Sequence, residues 1–340
     1  MENVKIERIV RDDNVVKVLV AQTNNEKIDS EVRANWEATI KMLAENPNPH
    51  NRYLMAQLIG YAVTDYLQPR TDFLDRIADT KRTAAGDHPV FKTELEGVHA
   101  YIQALDATTP RSRMASKNVI LDTVAVSARP AVNYSEMIRN VANLPKMVVR
   151  AGIEMENAML GYIGNVLDSQ YNATAMASPY YVSGAGVNAQ LLDPVVQFWA
   201  RMGGATILGD IAQTSELAAL TGFATVNSPA TVQFANGIIE EQNMFGFIGR
   251  YKGQDVVTLA NPYLAGTDTP ALSTKNLYIL PRAVDPEMRP LKIHIAGDVV
   301  SMEGQNIDDK TWEVRLDQEF GAGIVYGDRP YMSVFHDTRS

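Results

Sequence analysis

Residues 145–171 read PKMVVRAGIEMENAMLGYIGNVLDSQY, with Val148, Ala151, Met155, Met159, Tyr162 and Val166 recurring at steps of three or four. That spacing predicts one apolar face on a helix of about 26 residues, roughly 40 Å long. Asn143 supplies a capping amide and Pro145 a first-turn proline at its start. Gly152, Gly161 and Gly164 fall inside it, and each costs about 1 kcal/mol relative to alanine in a helix interior. Propensity alone does not hold such a helix. It needs a sheet or other helices along most of its length, and so constrains everything around it.

The stretch before it poses the opposite problem. Residues 100–126, AYIQALDATTPRSRMASKNVILDTVAV, hold two runs of strand character, Ala100 to Leu105 and Val119 to Val126. Between them lies a polar tip carrying Arg111, Arg113 and Lys117. Turn residues between two such runs predict a hairpin, spanning about Phe91 to Val132. A lone two-stranded ribbon is marginally stable in water, so this arm needs a surface to lie on.

The remaining elements follow from local signals. Asp29-Ser30 precede EVRANWEATIKMLAEN, whose Val32, Trp36, Ile40 and Leu43 lie at helical spacing. A second helix is expected from Asn51 to Leu67, stopped by Gln68-Pro69, and a short third from Phe73 to Lys81. YSEMIRNVA, after Arg129-Pro130, reads as a short helix. Beyond the long helix, Asp193-Pro194 is expected to open a helix, PVVQFWARMGG. ATILGD reads as a buried strand, IAQTSELAALTG as a helix stopped by Gly222, and Pro229 to Ala235 as a further short helix. A hairpin is expected around YKGQD; LYIL, KIHIA, VVSME, TWEVRLDQEF, AGIVYG and YMSVF read as strands. Helices first, then an arm, a long helix and mixed elements ending in strands, indicate an α+β fold.

Composition narrows the function classes. The chain has 340 residues, 46% of them hydrophobic, and no cysteine. Disulfides and thiolate metal sites are excluded, and an intracellular, soluble product is expected. No run approaches the roughly 18 apolar residues of a membrane helix. The net charge of −9 is wrong for a protein that grips nucleic acid, which needs a basic excess or a basic face.

Catalytic motifs are weak. GAGVNA, Gly184 to Ala189, matches the dinucleotide pattern G-x-G-x-x-A, with Asp210 downstream. However, YYVS makes a poor first strand, and a connecting loop is the better reading. There is no phosphate-binding G-x-x-x-x-G-K-[ST] and no G-x-S-x-G. His50, His88, His99, His294 and His336 form no metal-ligand spacing. Glu154 with Glu156, and Glu240 with Glu241, do not face each other on a helix; Asp308-Asp309 reads as a turn. No catalytic residue, cofactor or metal is expected.

This order of elements, with WEVRLDQEFGAGIVYGDRPYMSVF near the C-terminus, resembles the major capsid protein of tailed bacteriophages. That fold is shared with the herpesvirus capsid floor and with encapsulins. The resemblance implies a helical N-terminal arm region over 1–85 and an extended loop over 86–133. It implies a peripheral domain with the spine helix over 134–192, an axial domain over 193–281, and a return to the peripheral domain over 282–340. It implies a non-enzymatic shell subunit, assembled as hexamers and pentamers around double-stranded DNA, in virions built in the host cytoplasm. Portal and scaffolding proteins, and a decoration protein, are the implied partners. The loop would lie on a neighbouring subunit through Ile102, Arg111, Arg113, Lys117, Val119, Leu121, Val124 and Val126. Some relatives join subunits through a lysine on this loop and an asparagine elsewhere. Lys117 is the candidate here, but no carboxylate base can be placed beside it, and such a bond is not expected. An encapsulin-type compartment housing protein cargo, and an α/β enzyme using GAGVNA for a nucleotide, are the alternatives.

Overall fold

The computed structural model describes residues 48–96, 115–133, 143–170, 180–220, 249–259, 267–282, 286–306, 311–325 and 332–339. Nine residues between these stretches are also described: 38, 40, 41, 43, 102, 108, 111, 261 and 263. Most of the first expected helix, YSEMIRNVA, Gly222, the segment from Pro229, Glu240-Glu241 and Asp308-Asp309 lie outside the described residues. Ile40 and Leu43 are helical and fully buried.

The long helix forms as expected, over Asn143–Gln170, here α3. Val148, Ala151, Met155 and Met159 are buried, and Tyr162 and Val166 pack against the same core. It shares that core with α1, Pro49–Thr71, and with a five-stranded sheet. α1 is capped by Asn48, whose side chain accepts from the Asn51 amide at 2.7 Å, and has a proline in its first turn. Pro69 does not stop it. The helix runs on to Thr71, whose hydroxyl donates to the Gln68 carbonyl at 3.0 Å. A proline so near the end removes one hydrogen bond, and burial of Leu67 and Leu74 on either side offsets that loss.

The five-stranded sheet is built from β1 (Asp79–Thr83), β4 (Val124–Ala128), β5 (Ala131–Asn133), β11 (Leu291–Gln305) and β12 (Thr311–Ile324). Its order is β1-β11-β12-β4, with β5 also on β12. The expected helix from Phe73 to Lys81 shrinks to α2, Leu74–Ile77, because Asp79–Thr83 pairs in parallel with Lys292–Ala296. Tertiary pairing overrides a local preference of a few tenths of a kcal/mol per residue. KIHIA and VVSME are one strand, β11, broken only by a bulge between Ala296 and Val300. There Gly297 takes φ +65°, and Gln318 Nε2 donates to the Ala296 and Gly297 carbonyls that the ladder releases. TWEVRLDQEF and the start of AGIVYG are likewise one strand, β12.

A six-stranded sheet carries the second layer, in the order β6-β13-β10-β7-β9-β8. β6 is Tyr181–Gly184, β7 Ala205–Gly209, β8 Arg250–Tyr251, β9 Gln254–Thr258, β10 Asn276–Pro281 and β13 Ser333–Asp337. It thus draws residues from both sides of the 193–281 span. α4 (Ala189–Arg201) and α5 (Ile211–Ala219) cover it, with Trp199, Val196, Ile207, Ile279 and Phe335 in their shared core. α4 opens earlier than Asp193-Pro194: Asn188 caps it, and Pro194 lies inside. YYVS, a poor strand by sequence, becomes β6 through parallel pairing with β13. The hairpin around YKGQD has Lys252 (φ +47°) and Gly253 (φ +82°) at its centre, the left-handed pair that a two-residue turn needs. Helices and mixed sheets in these proportions make the fold α+β, as expected.

Candidate assembly surfaces

The arm is a separate two-stranded sheet, β2 (Val90–Glu96) against β3 (Ala115–Ile120). Its paired base therefore lies outside the expected run Ala100 to Leu105. Of that run, Ile102 alone is described, and it is fully exposed. The expected strand from Val119 to Val126 is two strands. β3 ends at Ile120, the chain steps across 121–123, and β4 then pairs with Leu316–Phe320 of β12.

That step roots the arm in its own subunit. Phe91, Leu121 and Val325 are buried together, with Val119 against them. Two glycines of β12 make the close approach possible. A Cβ at Gly321 would stand 2.9 Å from the Asp122 carbonyl oxygen, and one at Gly323 2.7 Å from Leu121 Cδ2. Lys81 fastens the first strand, donating from Nζ to the Val90 carbonyl at 2.9 Å while lying 5.0 Å from the centre of the Phe91 ring. Leu121 and Val126 consequently find their burial within their own chain; Val126 joins the core under α3. Val119 is half-buried at the root, and Val124 is 40% exposed.

The opposite face of the root differs. Val90 and Ile120 are direct register partners, 40% and 57% exposed. Pleat alternation turns Phe91 and Val119 inward and leaves this apolar pair outward. Sequence reading missed it, because VFKT and NVIL set apolar residues side by side and so do not mark which face is buried. Farther out, Arg111 and Lys117 are exposed, and Arg113 lies outside the described residues.

GAGVNA does sit between a strand and a helix, as a nucleotide loop would. Its amides, however, are already engaged by carboxylates. Gly186 N–H donates to Asp337 Oδ1 at 2.9 Å and Val187 N–H to Glu216 Oε2 at 3.0 Å. Arg339 bonds both acids. Its guanidinium, aided by Gln213 and the Gly186 amide, holds the Asp337 carboxyl well below the usual carboxylate range. A phosphate here would meet two negative charges instead of free donors.

A second polar network ties α3 to the six-stranded sheet. Asp168 accepts from the Tyr278 hydroxyl and, at 2.9 Å, from Asn276 Nδ2; Asn276 Oδ1 lies 2.7 Å from His336 Nδ1. Among the described residues no three His, Asp or Glu side chains are placed to hold a metal ion, and no helix is long and apolar enough to cross a membrane.

The chain is similar to a solved structure from Mycobacterium phage Bobi, at 10% identity over 78% of this chain and 90% of that one, with a TM-score of 0.49. The bacteriophage PhiM1 mature capsid gives 10% identity, 77% and 86% coverage and a TM-score of 0.49. A virus-like particle from Pyrococcus furiosus gives 10%, 81% and 96%, and 0.45. No curated protein sequence matches the chain. The model of the family described as "SPbeta prophage-derived putative capsid protein YonB" matches residues 4–335. With nearly its whole length matched, the chain belongs to the YonB family of prophage-derived capsid proteins.

Proposed function

We propose that this chain is a structural, non-enzymatic major capsid subunit that assembles with copies of itself, as hexamers and pentamers, into an icosahedral shell around phage double-stranded DNA. The observation that carries the arm's part in this reading is the ribbon of β2 and β3. One face is anchored at the root by Phe91 and Leu121, while the Val90–Ile120 pair, Ile102, Arg111 and Lys117 face outward. A neighbouring subunit supplies the surface this ribbon lacks. Ile102, Arg111, Arg113, Lys117 and Val119 are its contacts on the arm, with Val124 beside its root, whereas Leu121 and Val126 hold the arm in register from within. The net charge of −9 suits a wall that does not grip packaged phosphates.

Residues 86–133 supply the arm and, in β4 and β5, its attachment to the five-stranded sheet; 134–192 and 282–340 act as the peripheral part, apart from β6 and β13, which join the sheet of the axial part, 193–281; 1–85 act as the N-terminal region. Assembly takes place in the host cytoplasm, with portal and scaffolding proteins and a decoration protein as further partners.

The test is Arg111→Glu, Arg113→Glu and Lys117→Glu together. Each exposed charge contact is worth under about 1 kcal/mol, but a closed shell repeats it in every subunit. The expected triple variant is soluble, keeps the wild-type circular dichroism spectrum, and forms no shells by negative-stain microscopy. Normal shells from the variant, or an unfolded variant, would refute the role given to the tip. A wild-type chain that stays monomeric at high concentration would refute the shell reading itself.

A further inference from the structure

β1 is an edge strand of the five-stranded sheet and immediately precedes the arm. Asp79 on β1 and Lys292 on β11 are direct register partners, so both side chains leave the same face of the sheet. That face also carries Gly321 and Gly323, over which the arm's root is laid. The Lys292 side chain is 0% exposed and that of Asp79 7%. Lys292 Nζ lies 2.9 Å from Asp79 Oδ2 and donates to the Glu287 carbonyl at 2.6 Å. The carbonyl fixes the direction of the nitrogen, and the carboxylate lies against it.

We propose that Lys292 and Asp79 join covalently, as an isopeptide bond within one chain that locks the edge strand beneath the arm. The reaction balances without a co-reactant. The ammonium gives one proton to the carboxylate, and the free amine attacks Asp79 Cγ. The Nζ–Cγ bond forms and one Cγ–Oδ bond breaks. The departing oxygen leaves as water with two hydrogens that began on nitrogen, and the third stays on the amide. The positive and negative charges cancel.

Three features favour this outcome over a lasting ion pair. Burial pushes the Lys292 ammonium pKa down, although Asp79 itself opposes the shift, and so favours the nucleophilic amine. Two groups fixed in contact react as though at very high concentration. A neutral amide also relieves the desolvation that a buried ion pair suffers. The consequence is mechanical. A bond from residue 79 to residue 292 closes a covalent loop containing the arm, so traction on the arm cannot peel β1 from the sheet.

The test is the mass of the purified full chain, stored folded and then measured denatured, with a tryptic map. The expected mass is lower than the sequence mass by one water, with the peptide containing Asp79 joined to that containing Lys292. Lys292→Met and Asp79→Ala should each show the full mass and unlinked peptides. A wild-type chain that keeps its full mass and unlinked peptides overturns the proposal, whether or not the variants fold. The outcome is independent of whether shells form, so it fails or stands apart from the capsid reading.

Discussion

Replacing glycine by alanine should have opposite effects at two positions of α3, and the difference tests how that helix is seated. In an exposed helix the change gains about 1 kcal/mol at either site. At Gly161 the new Cβ would meet only Ala271 Cβ, at 4.0 Å, an ordinary contact. Gly161→Ala should therefore keep most of that gain. At Gly152 the Cβ would overlap Tyr66 Cδ1 and stand 2.8 Å from Cε1. Tyr66 cannot simply swing aside. It is 3% exposed, and Arg70 stacks on its ring at 4.4 Å while pairing with Glu156 of α3 at 3.1 Å. Overpacking of this kind costs about 1–3 kcal/mol, so Gly152→Ala should lose between nothing and about 2 kcal/mol. The two variants then differ by about 1–3 kcal/mol, or roughly 2–6 °C in Tm at about 2 °C per kcal/mol for a chain this long.

Equilibrium urea unfolding of unassembled subunits is the assay, because assembly would add stability by mass action. The same Gly152→Ala change in a Tyr66→Leu background should turn neutral or stabilising, since the ring it strikes is gone. Equal stability of the two single variants, or no recovery in the double, would show that Tyr66 does not seat on Gly152.

Two further outcomes concern buried ionisable groups. His294 is fully buried with its Nε2 2.8 Å from the Thr83 hydroxyl, and burial, with His88 next, pushes its pKa below the ordinary 6.5, against smaller opposing effects of Glu319 and Asp87. The unfolded chain then binds the proton more readily, so stability present above about pH 6.5 should fall as pH drops below it, by up to about 1.4 kcal/mol per pH unit; His294→Gln should flatten that slope in denaturant melts from pH 7 to 5, and an unchanged slope would assign it elsewhere. Asp337, with its depressed pKa, contributes stability that is present above its ordinary 3.8 and lost progressively below it; Asp337→Ala should cost about 3 kcal/mol by stranding the Gly186 and Gln213 donors, and a loss within about 0.5 kcal/mol, typical of surface sites, would mean those donors find other partners.

Elements whose signal is local were legible in the sequence. The stripe from Val148 to Val166 needs only its own spacing to declare a helix, and Ala205–Gly209, buried at every position, reads as a strand from its own residues. The arm could be read as a hairpin for the same reason. Where it is attached could not. Val119 to Val126 looks like one strand because its three valines, Ile120, Leu121 and Thr123 outweigh Asp122. The break after Ile120 is dictated by Gly321 and Gly323, two missing side chains that let Leu121 and Asp122 cross β12. β1 is hidden likewise, since DTKRT is polar and becomes a strand only by pairing with Lys292–Ala296.

The distinction carries through to the sites. GAGVNA has the local grammar of a phosphate loop, and the fold even supplies the strand before it and the helix after it. What decides against a nucleotide is the pair of acids that reach its amides, Glu216 from α5 and Asp337 from the end of β13. Conversely, Asp79 and Lys292 carry no motif at all, and only the register of a parallel strand pair brings them into contact. In this chain, spacing announces elements reliably, whereas chemistry is settled by which distant residue occupies each donor and acceptor. The assembly surface follows the same logic. Val90 and Ile120 are ordinary strand residues until Phe91 and Leu121 are buried with Val325, which turns the other face of the ribbon outward, the face the proposed second subunit would cover.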